Sequence, residues 1–165
     1  MANILLLSDT HGYLDDQMLK YVHWADEVWH AGDIGDLQVT EKIAALKPLR
    51  AVYGNIDGAH ARMQFPLDQI FELEGKKIWI THIGGYPKKY EARIKKGLKE
   101  HPVDILICGH SHILKIMYDA PFDVLFLNPG AAGKYGFHTV RTLLKFQLEN
   151  GNISNMEIVE LEKRS

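Results

Sequence analysis

Cysteine is almost missing from this chain, with one in 165 residues. A lone cysteine cannot close an internal disulfide, so the fold must be held by burial and hydrogen bonding, and a reducing, cytoplasmic setting is expected. Long hydrophobic runs are also missing. The first apolar stretch, Ile4 to Leu7, is far shorter than a membrane-crossing helix or a secretory signal core, so no membrane association is expected. No sign of charge dominates. Nineteen Lys and Arg stand against 21 Asp and Glu, a formal net charge of -2, which gives no reason to expect the surface as a whole to bind nucleic acid. What is present is an ordinary globular balance, 46% hydrophobic and 24% charged. Histidine is the excess, at nine.

The order of elements predicts an α/β layered fold. Residues 3–7 form a continuous apolar run broken by Ser8-Asp9, as in a strand buried on both faces. Leu14, Met18, Leu19, Val22 and Trp24 recur at helical spacing. Residues 27–30 read as a second strand, 39–46 as a helix stopped by Pro48, and 49–53 as a third strand. A hairpin follows at 69–73 and 76–81 around Glu74-Gly75, then a basic helical stretch over 88–99 and a buried strand at 105–108. The remainder is rich in strands, at 114–118, 124–127, 142–148 and 153–161, with Asn150-Gly151 as a strong hairpin signal. No linker, repeat or low-complexity tract interrupts the chain, and one domain over residues 1–165 is expected.

Strand after strand ends in a metal-competent residue. The first gives Asp9-Thr10-His11, the second Gly32-Asp33 with Asp36 close behind, and the third Gly54-Asn55-Ile56-Asp57. The hairpin ends at Thr81-His82, and the later buried strand at Gly109-His110-Ser111-His112. In open α/β sheets ligands bind beyond the carboxyl ends of the strands, so these five loops should converge. Taken singly, Asp9 reads equally as a helix cap, Gly32-Asp33 as a turn and Asn55 as a left-handed turn residue. Their coincidence at successive strand ends favours a site. Carboxylate, imidazole and amide ligands without thiolate suit Mn²⁺ first, with Fe, Zn²⁺, Ni²⁺ or Co²⁺ as alternatives, better than Ca²⁺. Seven ligands exceed what one ion takes from protein while keeping a position open. They suit two ions about 3.5–4 Å apart.

These motifs resemble those of the calcineurin-like metallophosphoesterase superfamily, whose signature is Asp-x-His, Gly-Asp-x-x-Asp, Gly-Asn-x-Asp/Glu, a lone His after a strand, and Gly-His-x-His. The short length and the Asn128-Pro129-Gly130 segment make the chain look like the small bacterial and archaeal phosphodiesterase branch, to which the retromer subunit Vps29 is similar in fold. The resemblance implies a four-layer αββα sandwich of two mixed β-sheets with helices outside. It also implies ligand roles: Asp9, His11, Asp33 and His112 for one ion, and Asp33, Asn55, His82 and His110 for the other, with Asp33 bridging. Asp33, Asn55 and His110 then stand closest to the reaction, in which water held between the ions attacks phosphorus. The implied activity is hydrolysis of a small phosphodiester. The alternatives are a phosphomonoesterase and a non-catalytic interaction scaffold of the Vps29 kind. A homo-oligomer is compatible with either.

Two departures bear on mechanism. Ile56 stands where many relatives carry a histidine able to protonate the leaving group, and Gly84 where many carry a further histidine. Asp36 and Asp57 are expected to orient ligands through hydrogen bonds. His60 is a candidate substrate contact. His30 reads as a hydrogen-bonded core residue, Cys108 as a small core residue, and His23, His101 and His138 receive no role. Lys88, Lys89, Arg93, Lys95, Lys96 and Lys99 are the only basic concentration, read as a solvated helix face or as a positive rim for phosphate substrates.

Overall fold

In the computed structural model, which describes residues 1–162, β1 (Ala2–Leu7) divides its side chains between two cores. Ile4 and Leu6 join one cluster, Leu5 and Leu7 another, because alternate strand residues face opposite ways. α1 (Asp16–Trp24) follows, capped by Asp15, whose carboxylate accepts from the Met18 N–H at 2.9 Å. Next come β2 (Glu27–His30), α2 (Gln38–Leu46), β3 (Leu49–Ala51), α3 (Ala59–Gln64), β4 (Asp68–Leu73) and β5 (Lys76–Thr81). A miniature hairpin, β6 (Gly85–Tyr86) with β7 (Lys89–Tyr90), precedes α4 (Ala92–Glu100) and β8 (Ile105–Ile107). The chain closes with β9 (Lys115–Asp119), a single 3₁₀ turn, β10 (Val124–Asn128), β11 (Arg141–Glu149) and β12 (Asn152–Leu161). Residues 163–165 of the expected domain lie outside the described residues.

Two five-stranded mixed sheets result, in the orders β12-β11-β1-β2-β3 and β4-β5-β8-β10-β9. β1, β2 and β3 are parallel, as are β5, β8 and β10; β11 runs antiparallel between β1 and β12, and β4 and β9 are the antiparallel edges of the second sheet. The inner faces pack together through Ile4, Leu6, Trp29, Ile78, Ile80, Ile107 and Phe146, among others. Met18, Val22 and Ile43 bring α1 and α2 onto the outer face of the first sheet, and Ile94 and Leu98 bring α4 onto the second. This is the αββα sandwich the resemblance implied. No helix among the described residues is long and apolar enough to cross a membrane.

The hairpins follow local chemistry. Glu74 and Gly75 have φ of 49° and 79°, Asn150 and Gly151 of 48° and 82°, the paired left-handed residues that a two-residue turn needs to match strand twist. The basic stretch differs from its sequence reading. Tyr86 pairs with Lys89 across Pro87-Lys88, proline fixing its own φ and Lys88 adopting φ 77° as in a type II turn. The helix therefore starts only at Ala92, and Lys88 and Lys89 belong to the hairpin. α3 was not foreseen; six residues are too few to display a helical period. Cys108 is buried in the core, and burial pushes its thiol up, so it stays protonated.

His30 ends β2 fully buried. Its Nδ1 accepts from the Gly32 N–H at 3.1 Å, so Nε2 carries the proton and donates to Thr10 Oγ1 at 3.0 Å, and Thr10 passes its own hydrogen to the Ile34 carbonyl at 2.8 Å. Burial depresses the imidazole from 6.5 to about 4, against the opposing pull of Asp57 and Asp9. A depressed histidine contributes stability that is present above its unfolded pKa and lost as pH falls towards the folded value. We expect metal-free protein to lose on the order of 3 kcal/mol between pH 6.5 and 4 through this group. Urea unfolding across that range checks this: His30→Gln should flatten the slope relative to wild type, and equal slopes would contradict the assignment.

Candidate metal centre

The loops that follow β1, β2, β3, β5 and β8 meet at one end of the sandwich. Asp9 Oδ1 lies 3.2 Å from His112 Nε2 and 3.9 Å from both His11 Nε2 and His82 Nε2. Asp33 reaches His11 Nε2 with Oδ2 at 3.5 Å and His82 Nε2 with Oδ1 at 3.2 Å. Asn55 Oδ1 sits 3.1 Å from His82 Nε2 and 3.0 Å from His110 Nδ1. All seven residues expected as ligands are thereby brought together. They form two groups whose donor atoms could each hold an ion, Asp9 with His11 and His112, and Asp33 with His82 and His110. The Asp33 carboxylate faces one group with each oxygen.

The surrounding chain holds these side chains by their other atoms. Asp9 Oδ2 accepts from Ser8 Oγ at 2.7 Å and from the His110 N–H at 3.1 Å, leaving Oδ1 for the site. His82 Nδ1 donates to the Ala31 carbonyl at 2.7 Å, which turns Nε2 inward. The buried Asp57 carboxylate accepts from the N–H groups of Gly54, Ile34 and Gly35 at 2.8–3.1 Å, tying the Asn55 loop to the Asp33 loop. Asn128 donates to the Gly109 carbonyl and to Ser111 Oγ, buttressing the loop of His110 and His112. That gives the Asn128-Pro129-Gly130 segment a structural task. Gly54 and Gly109 permit the close approach: a Cβ on Gly54 would overlap Asp33 Oδ1, and one on Gly109 would overlap Ser8 Oγ.

Backbone strain is concentrated here. Asp9, His11, Asp33, His110 and His112 all have φ between 44° and 70°, left-handed values that cost a non-glycine residue roughly 1–2 kcal/mol each. The fit to metal rests on unsatisfied atoms. Among the described residues, Asp9 Oδ1 and His11 Nε2 are buried without a hydrogen-bond partner, and such atoms normally find one. A cation between them satisfies both. Without metal, burial works against charge on both Asp33 and His82, but their mutual hydrogen bond prevails, helped at Asp33 by the Ile56 N–H and at His82 by the Asp9 charge. Asp33 is lowered and His82 raised.

The sequence model of the calcineurin-like phosphoesterase superfamily domain matches residues 2–151. The chain belongs to this superfamily. It is 33% identical to a probable metallophosphoesterase of Mycoplasma pneumoniae over 136 residues, 79% of each chain. It is 32% identical to another from Methanocaldococcus jannaschii over 132 residues, 76% of this chain and 66% of that one. In fold it resembles Vps29 of Chaetomium thermophilum, with a TM-score of 0.75 at 18% identity, covering 99% of this chain and 100% of the other.

Other expectations fall differently within this superfamily fold. Asp36 is exposed and accepts from the Gln38 N–H at 2.9 Å, so it serves the first turn of α2 instead of orienting a ligand. His60 opens α3 beside Asp36 and Leu37 in a shallow hollow, apart from the cavity that Asn55 and His82 line. Ile56 is 47% exposed and offers its N–H to Asp33 Oδ1 at 3.1 Å, but no side-chain proton. Of the six basic residues of the 88–99 stretch, Arg93 lines that cavity, held by Asp68 and Thr81. Sequence reading missed Tyr135, whose ring lies 5.0 Å from that of His11, and His138, 5.1 Å from His112. Only their place in a glycine-rich segment hinted at this. It also missed Arg62, for which no local motif gives a signal.

Two outcomes follow for metal binding. A raised His82 must shed its proton to become a ligand, so loading the metal-free protein should release protons, and affinity should fall as pH drops through that raised pKa. Calorimetric titration in buffers of different ionisation enthalpy measures the release, and none at pH 6, below the ordinary imidazole value of 6.5, would contradict the pairing of His82 with Asp33. Gly54→Ala should displace Asp33 and lower metal affinity at least about tenfold, whereas unchanged metal content would show that the loop tolerates a methyl group.

Proposed function

We propose that the chain is a metal-dependent phosphodiesterase acting on small phosphodiesters at a two-ion centre, built on a single domain over residues 1–165. The observation that carries this reading is the pair of buried atoms without a hydrogen-bond partner, Asp9 Oδ1 and His11 Nε2, inside a cage of seven oxygen- and nitrogen-bearing side chains. Asp9, His11 and His112 would hold one ion and Asn55, His82 and His110 the other, with Asp33 placed to serve both. Mn²⁺ suits this thiolate-free set, with Fe, Zn²⁺, Ni²⁺ and Co²⁺ as alternatives. Such ions would supply Lewis acidity towards the phosphoryl oxygens and a nucleophile at neutral pH. The protein supplies position: strained loops and the Asp57 and Asn128 hydrogen bonds fix the donors before substrate arrives.

What position 56 does not supply is a proton for the leaving group. Ile56 cannot donate one, and general acid catalysis is worth about 10²–10⁴-fold where the leaving group needs it. Aryl diesters should therefore turn over faster than alkyl diesters, with a steep dependence of kcat/KM on leaving-group pKa, and diesters should outpace matching monoesters. EDTA followed by dialysis should abolish activity, and Mn²⁺ or a similar ion should restore it. Activity in metal-free protein would sink the mechanism. A preference for monoesters would replace the diesterase reading with a monoesterase at the same centre. The likeness to Vps29 sustains the scaffold alternative, which a failure of every metal-loaded sample to hydrolyse any ester would favour.

A further inference from the structure

A cavity of about 540 Å³ opens beside the cage, lined by Asn55 and His82 of the cage and by Tyr53, Arg62, Leu67 and Arg93 among others. That volume falls within the range of small-molecule sites. Only two of the seven cage residues, Asn55 and His82, line it, so the cavity adjoins the cage without containing it and leaves space for a group attached to phosphorus. The two guanidiniums in its wall differ. Arg93 is neutralised by Asp68, with Nη1 3.1 Å from both carboxylate oxygens, and its Nη2 donates to Thr81. Arg62 has no acidic partner among the described residues. Its Nε donates to the Asp57 carbonyl at 2.8 Å and its plane lies 4.6 Å from the Tyr53 ring centre. Those contacts fix the group, and both terminal nitrogens remain without an acceptor among the described residues. Asp57 is also the residue that ties the Asp33 and Asn55 loops together, so Arg62 is held in register with the cage. A fixed, unpaired guanidinium with two free nitrogens is suited to bidentate capture of a carboxylate or phosphate.

We propose that this cavity receives one ester arm of the substrate and that Arg62 holds an anionic group on that arm, so that the preferred substrates are diesters carrying a second negative charge. This rests on the phosphodiesterase reading and names its substrate class. Glu91, the one carboxylate in the lining, narrows the choice to arms whose charge is directed at Arg62.

The test is a matched pair of aryl phosphodiesters, one with a neutral alkyl arm and one with a carboxyalkyl arm of equal length, hydrolysed by the Mn²⁺-loaded protein. The wild type should favour the carboxyalkyl ester by about tenfold or more in kcat/KM. Arg62→Gln should bring that ratio close to one while metal content per chain holds, and Arg62→Lys should retain part of it. Equal use of the two esters by the wild type would overturn the proposal, as would a ratio that survives Arg62→Gln. A matched fall for both esters would also overturn it, because Arg62 would then be acting on the reacting phosphoryl group or on the loops. Calorimetric binding of the same pair separates the two claims. Arg62-dependent preference in affinity without any hydrolysis would leave the subsite standing and remove the phosphodiesterase reading.

Discussion

Asp9 and Asp33 are carboxylates buried at the ends of neighbouring parallel strands, with both facing His82 Nε2, at 3.9 and 3.2 Å. Taking one such charge out of water costs several kcal/mol unless a partner compensates. The surrounding chain compensates only in part: Ser8 and the His110 N–H satisfy one oxygen of Asp9, and the Ile56 N–H meets Asp33. In the metal-free state the hydrogen bond to Asp33 and the Asp9 charge raise the His82 imidazole above its usual value, against the effect of its burial. Divalent cations held by these donors would offset the cost of the buried charges. The arrangement of four histidines and Asn55 around these two carboxylates is intelligible on that constraint, and hard to explain as packing.

Strain supports the same view. Left-handed backbone occurs in more than one setting. Some residues, such as Glu74 and Asn150, make hairpin turns that match strand twist. Five more are Asp9, His11, Asp33, His110 and His112, in loops where the Gly32 and Asp33 carbonyls accept from the N–H groups of Asp9 and His11. Such conformations persist only where the surroundings over-determine them. Here the sandwich does so, because its parallel strands deliver rigid, buried ends and its second layer of hydrogen bonds closes each loop onto the next. Rigidity of this kind holds donors apart at distances a flexible loop would relax.

Much of this was legible in the sequence because it is local. Apolar runs marked the buried parallel strands, Asn150-Gly151 and Glu74-Gly75 marked the turns of the antiparallel hairpins, and each expected ligand followed a strand by one to five positions. The features that were not legible depend on long-range contacts. Asp36 and Asp57 look alike as turn carboxylates, yet one meets the N–H of a nearby helix turn and the other meets two separate loops. The start of α4 was misplaced because basic residues suit a turn and a helix face equally, and Pro87 decided between them. Arg62 carries no motif, and its importance arises from the cavity it shares with Asn55 and His82.

The central claim is that two ions share Asp33 in one cage. It is tested most directly by metal content per chain, measured by plasma mass spectrometry on Mn²⁺-reconstituted wild type, His110→Ala, His112→Ala and Asp33→Asn. The account predicts two ions in the wild type, the loss of mainly one in each histidine variant, and the greatest loss in Asp33→Asn, where the anionic bridge is weakened for both. A wild type that saturates with a single ion, or an Asp33→Asn protein that keeps two tightly bound, would contradict it.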